Sequence, residues 1–198
     1  LYLEDEGQLE GLPESAVEAA VCAAREKGKD HGWLFTLHAP SYVPFMKYCK
    51  CRELRKRMYM AYNTQCTHDD ELNNFEIVKQ LVNTRMELAH LLGYSNYAEY
   101  VLKKRMAENS SKVYTLLEEL IATYKPVAIE EVEEVKQLAQ KMEGADFELM
   151  PWDFSYYSEK LKNEKYQFDE EELRPYFELN AVIDGVFGLA TRLYGLTF

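Results

Sequence analysis

The chain has 198 residues, 47% of them apolar and 29% charged, with a formal charge of −11. That length holds one good core or two small ones. The acidic balance argues against nucleic acid, whose phosphates need a basic surface, and against an anionic membrane face. No stretch approaches the roughly 18 apolar residues of a membrane span.

Leu1 to Leu3 reads as the end of a strand, and no basic leader stands before Glu4-Asp5-Glu6. The first residue is not Met, so the natural start is expected upstream. Pro13 to Lys27 is predicted helical, with proline at its first position, Val17, Ala20, Val21 and Ala24 as its buried stripe, and Gly28 after it. Trp33 to Leu37 is short, apolar, aromatic and β-branched, and reads as a strand paired with the first one. Ser41 is the expected cap of the next helix, with Pro44 in its first turn. Cys51 to Cys66 continues as a helix rich in Arg, Lys and Met.

Leu72 to Leu92 is the clearest helix, with Leu72, Phe75, Val78, Val82, Leu88 and Leu92 on its apolar side and Gly93 as its stop. Ser95 caps a helix from Asn96 to Ala107. Ser110 to Glu143 is one long helical pattern with Pro126 inside it, where a kink or break is expected. Asp153 precedes a helix to about Asn163, Asp169 is placed to cap a short one, and Asn180 caps the last. That last helix carries Val182, Ile183, Val186, Phe187, Leu189, Ala190, Leu193 and Tyr194, wider than the roughly 100° stripe of an ordinary surface helix. The fold class is therefore all-α: a multi-helix array with one long kinked helix and at most one small two-stranded β element near the N-terminus. Residues 1–40 form a strand-helix-strand element and residues 41–198 a helical body, together one segment. Both ends read as cut, because Leu196-Thr197-Phe198 leaves a helix as an extended apolar tail.

A helix-borne catalytic zinc site needs two histidines four apart and a glutamate beside the first. The histidines are His31, His38, His68 and His90; no two are four apart and none precedes a Glu. Cys49 and Cys51 sit two apart and would point to different sides of a helix, a poor chelate. Too few for a disulfide scaffold, the four cysteines read as reduced thiols of a cytoplasmic protein. His68-Asp69-Asp70-Glu71 precedes a strong helix, where acids favour the positive end of the helix dipole. Arg52, Arg55, Lys56 and Arg57 form a basic patch that reads as a solvated face. Glu130, Glu131, Glu133 and Glu134 cover more than one face of the long helix, as solvated residues do. No glycine-rich phosphate loop or nucleophile elbow is present. Trp152-Asp153-Phe154-Ser155-Tyr156-Tyr157 is the densest aromatic run. Helix capping plus core aromatics explains it, and so does a groove for peptide side chains, with Trp152, Asp153, Tyr156 and Tyr157 as substrate-cleft candidates.

Several blocks in order resemble the thimet oligopeptidase, neurolysin and peptidyl-dipeptidase (dipeptidyl carboxypeptidase) family of zinc metallopeptidases. They are Arg57-Met58-Tyr59-Met60-Ala61-Tyr62-Asn63-Thr64-Gln65-Cys66, Leu91-Leu92-Gly93-Tyr94-Ser95-Asn96-Tyr97-Ala98, Trp152-Asp153 with Tyr156-Tyr157, Arg174-Pro175-Tyr176-Phe177-Glu178-Leu179, and Leu193-Tyr194-Gly195-Leu196-Thr197-Phe198. The Tyr-Phe-Glu-Leu-Asn variant looks closest to the bacterial peptidyl-dipeptidases. The resemblance implies an internal fragment upstream of the zinc helix: a helical lobe beside a deep cleft. The parent would bind zinc and hydrolyse peptides, and this piece would shape the cleft. It carries no catalytic or metal residue over to any position here, so the chain alone is expected to be inactive and free of stoichiometric zinc. Its expected partners are peptide substrates of the parent, the missing catalytic lobe of the same chain, and a second copy through self-association. The rivals are a stand-alone helical interaction module and an endo-acting oligopeptidase fragment.

Overall fold

The hydrophobic patterning turns into eight α-helices and a two-stranded sheet in a computed structural model that describes residues 1–167 and 170–198. β1 (Tyr2–Leu3) pairs antiparallel with β2 (Trp33–Leu34), placing Tyr2 opposite Leu34 and Leu3 opposite Trp33. The strand expected over Trp33–Leu37 is shorter because only Phe35 extends the pairing, through its N–H to Leu1 O. The backbone N–H of Thr36 then turns to the Ser41 hydroxyl. Ser41 is therefore not the cap of the following helix; His38 holds that position and Ser41 lies inside.

Helix α1 (Glu14–Glu26) buries Ala20 and Ala24 against the sheet. Helices α2 (Ala39–Tyr48) and α3 (Arg52–Asn63) follow, separated by a short break at Cys49–Cys51. Leu3, Leu9, Ala20, Phe35, Phe45, Met46, Cys49, Leu54 and Met58 form one continuous core. Phe35 and Phe45 meet edge to face with ring centroids 4.7 Å apart. Gly11 seals the end of this unit at φ +90°, where an added Cβ would lie 2.3 Å from Tyr48 O.

Helix α4 (Phe75–Leu91) starts three residues later than the apolar spacing suggested. The Asp70 carboxylate accepts from the Leu72 N–H and the Asn73 side chain from the Phe75 N–H, which holds the preceding residues in turns. Helix α5 (Tyr97–Leu102) is capped by Asn96, not Ser95, because the Asn96 carbonyl reaches the Glu99 N–H at 3.0 Å. Helix α6 (Ser110–Glu143) runs 34 residues without a break at Pro126.

Helix α7 (Pro151–Tyr166) returns along the end of α6 and packs across α2 and α3. Val135, Ala139, Tyr156 and Tyr157 form the second core there. Asp153 sits at the third position of α7, not before it. The cap foreseen at Asp169 lies outside the described residues. Helix α8 (Leu179–Tyr194) is capped by Glu178, whose carboxylate accepts from the Ala181 N–H; Asn180 only donates to that carboxylate.

Packing is uneven. Residues 1–63, α7 and the last turns of α6 enclose both cores. α4, the first two-thirds of α6 and α8 leave most of their apolar side chains in solvent, while those of α5 (Tyr97–Leu102) are mostly partly buried. The accessible surface is 15033 Å². A compact monomer of 23.2 kDa exposes about 9,700 Å².

Candidate functional site

The aromatic run and the basic patch meet. Pro151 opens α7 with its fixed φ, which suits the first helical turn, and sets Trp152 and Asp153 against α3. Asp153 is fully buried, and Arg55 on α3 is 1% exposed. Arg52 and Arg55 are three apart on α3, so both guanidinium groups face the same carboxylate. Arg52 grips it with Nε at 3.1 and 3.0 Å and Nη2 at 2.7 Å. Arg55 Nη2 donates to Oδ1 at 2.8 Å. The Met150 backbone N–H also donates to Oδ2, at 3.2 Å.

Backbone carbonyls take further guanidinium donors. Arg55 Nη1 donates to the carbonyls of Cys49 and Lys50 at 2.8 and 3.0 Å, and Arg52 Nη2 to that of Glu148 at 2.9 Å. Burial of so much charge is tolerated only with this degree of pairing. The hydrogen bond to Asp153 raises the Arg52 pKa further. Aromatic faces complete the shell: Phe147 lies 4.5 Å from the Arg52 guanidinium carbon and Tyr156 4.3 Å from that of Arg55.

Tyr156 and Tyr157 are buried, with rings perpendicular at 5.1 Å. The Tyr157 hydroxyl donates to Glu143 at 3.0 Å, tying α7 to the end of α6. Burial, and then that carboxylate, drive the Tyr157 pKa well above its ordinary value. Burial also raises that of Tyr156, against an opposing pull from Arg55. Trp152 is only partly buried; its ring meets Tyr59 edge-on at 6.1 Å and lies under the Lys56 ammonium at 5.2 Å.

The structure thus brings all four residues of the aromatic signature to the α3–α7 junction, with Trp152 keeping an open side. It corrects the reading of the basic patch as a solvated face at Arg55, which is core; Arg52, Lys56 and Arg57 are exposed, although the Arg52 guanidinium still reaches the buried Asp153. Sequence reasoning missed these two. The signal that could have found them is the i, i+3 arginine pair beside Leu54 and Met58, which are core positions of the same helix.

Among the described residues, no group of three His, Cys, Asp or Glu side chains stands close enough together to hold a metal ion. Cys49 is buried and Cys51 exposed, so the pair shares no face. Burial pushes the Cys49 thiol up to about 11. His68 meets Thr64, and its carbonyl accepts from the Asn73 side chain, which makes the polar cluster before α4 a turn.

The profile of peptidase family M3 matches residues 45–198. Oligopeptidase A of Haemophilus influenzae is 42% identical over 198 residues, covering 98% of this chain and 29% of that protein. The dipeptidyl carboxypeptidase of Escherichia coli is 33% identical over 199 residues, covering all of this chain and 29% of that protein. A probable thimet oligopeptidase of Arabidopsis thaliana is 29% identical over 197 residues, covering 100% of this chain and 26% of that protein. The chain therefore spans less than a third of the length of these relatives. With residues 45–198 matched and the Trp-Asp and Tyr-Tyr pairs locked at one helix junction inside that span, the chain belongs to peptidase family M3.

Proposed function

We propose that this chain is a helical lobe of a zinc-dependent peptidase, shaping the substrate cleft while the zinc ligands are supplied elsewhere in the parent polypeptide. The observation that carries this reading is the family match over residues 45–198 of a chain that aligns with only 29% of its relatives' length. Among the described residues no three potential metal ligands stand together, and no catalytic step is assigned to them. The chain acts as one structural segment: residues 1–40 brace the helical body of residues 41–198. Its cysteines, all four unpaired, favour a cytoplasmic parent.

Trp152 is the cleft candidate with a surface to offer a peptide, through the open side of its ring. Tyr59 and Lys56 flank that ring, while Asp153, Tyr156 and Tyr157 are buried and have no surface to offer. Identity of 42% and 40% to oligopeptidase A from two bacteria, against 33% and 31% to dipeptidyl carboxypeptidases, favours an oligopeptidase over a dipeptidyl carboxypeptidase. The uncovered faces of α4, α6 and α8 are where the remainder of the parent packs. In its absence a second copy takes that place.

The test is to extend the chain through its own reading frame and assay the product beside the 198-residue chain. The extended protein should cleave a short peptide and retain one zinc per chain after dialysis; the present chain should do neither. Cleavage or a tightly held zinc in the present chain alone would overturn the reading. A peptide with a blocked C-terminus separates the two specificities, since only internal cleavage survives the block.

A further inference from the structure

We infer that the side of α3 beside Trp152 is a binding strip for short acidic peptides, with a cationic end that takes a carboxylate and an aromatic end that takes the neighbouring side chains. The inference rests on the reading of Trp152 as a substrate contact and names the peptide that suits it. Arg52, Lys56 and Tyr59 stand at i, i+4 and i+7 of α3, so they fall on one side of that helix. Trp152 joins them from α7, its ring 5.2 Å from Lys56 Nζ and 6.1 Å from the Tyr59 ring. The aromatic end continues to Tyr62, whose ring stacks on Tyr42 of α2 with centroids 4.4 Å apart. Tyr42, Tyr59 and Trp152 are all anchored against the first core and keep part of their surface open.

The cationic end is held from beneath. Asp153 fixes the Arg52 guanidinium through Nε and Nη2, Glu148 O takes a further Nη2 donor, and Phe147 lies against the guanidinium plane. Among the described residues Arg52 Nη1 donates to nothing, and the Arg52 side chain is 44% exposed. Two guanidinium groups share the one buried carboxylate, and Glu143, which attracts Arg52 from farther off, is engaged by the Tyr157 hydroxyl. Lys56 adds a further cation that forms no ion pair among the described residues. In a chain of formal charge −11, this is a place where positive charge stands fixed and underused.

Charge and spacing select the occupant. An apolar packing partner would strip water from Arg52 and Lys56 and give them no acid in return, at a cost in stability. A carboxylate instead accepts from Arg52 Nη1 or pairs with Lys56. Aromatic or proline side chains beside it then lie against Trp152 and Tyr59. The rise from Arg52 to Tyr59 is about 10 Å, and to Tyr62 about 15 Å. An extended peptide advances about 3.3 Å per residue, so the strip matches roughly three to five residues.

The test uses the 198-residue chain carrying Trp33→Phe, which leaves Trp152 as the lone tryptophan. Two peptides are titrated at low salt, N-acetyl-Glu-Phe-Ala-amide and N-acetyl-Gln-Phe-Ala-amide, whose blocked ends leave the Glu side chain as the only carboxylate. The Glu peptide should shift Trp152 emission with about fivefold tighter binding, the scale of one exposed charge pair. Lys56→Gln, which alters no buried partner, should at least halve that ratio, and added salt should shrink it. Equal binding of the two peptides, no response to either, or a ratio unchanged by Lys56→Gln overturns the inference. In the protein extended through its reading frame, a cleavable pair differing by the same Glu-to-Gln change should show the ratio in KM with kcat unchanged. An extended protein that cleaves both without that ratio also overturns the inference and leaves the peptidase reading standing. One that cleaves neither overturns the peptidase reading, while the Trp152 titration still decides the strip.

Discussion

Two regions of this molecule share a similar stock of apolar side chains and use them in opposite ways. In the first 63 residues and α7, Phe35, Phe45, Met58 and their neighbours meet one another and lose water. In α4, the first two-thirds of α6, and α8, residues of the same kind stay exposed: Phe75, Leu117 and Val186 are all more than two-fifths accessible. Helical periodicity is present in both. What differs is whether the chain returns to cover the stripe it has made. Amphipathic patterning is thus a promise of a partner, and only tertiary topology decides whether the partner lies within the same 198 residues.

The sharpest way to break this comparison is at the buried ion cluster. Asp153→Ala leaves Arg55 buried without its carboxylate, and should cost roughly 3–5 kcal/mol in urea denaturation. A loss below 1 kcal/mol would place the cluster outside the stable body. Next comes a matched pair of truncations. Phe45→Ala in the core should cost about 3–5 kcal/mol, whereas Ile121→Ala on α6 should change the stability of the dilute chain by less than about 0.5 kcal/mol. Equal costs at the two sites would erase the distinction between the regions.

The comparison also shows what could be read in advance. The number and order of helices, the small sheet and the glycine stops follow from local patterning, which the sequence carries openly. Cap positions did not: Ser41, Ser95, Asp153 and Asn180 each lie within three residues of the true cap; Asn96 and Glu178 take the backbone N–H groups that Ser95 and Asn180 were expected to hold, whereas His38 and Met150 open their helices with no side-chain cap bond at all. Of the kink or break expected at Pro126, the break does not occur: α6 continues through that residue. Proline at that point removes one hydrogen bond, and the long turns on either side keep theirs. The candidate site was half legible. The Trp-Asp and Tyr-Tyr pairs stood out, but their arginine partners lie about 100 positions away, and charge on a helix reads as solvent-facing until a buried acid is known.

Alkaline pH sharpens the picture at smaller scale. The Cys49 pKa is raised on folding, from 9.0 to about 11. The unfolded chain therefore loses the thiol proton first as pH rises. The stability that the neutral thiol contributes is whole below pH 9 and is lost between pH 9 and 11. The loss is roughly 3 kcal/mol at most. Urea midpoints measured across that range should fall less steeply for Cys49→Ala; identical slopes would assign the alkaline loss to the tyrosines. A local effect belongs to Asn109, whose side chain caps α6 at the Lys112 N–H. Asn109→Ala should cost about 1 kcal/mol locally, seen as faster exchange in the first turn of α6 with no change in α1 to α3.

Hydrogen exchange on the dilute, monomeric chain tests the central claim most directly. Amides of α1, α2, α3, α7 and the last turns of α6 should be protected as one cooperative unit. Those of α4, α8 and α6 before Glu131 should exchange much faster, through local opening. Uniform protection from Glu14 to Tyr194 would contradict the account, because it would mean the chain already covers its own apolar faces and needs no partner.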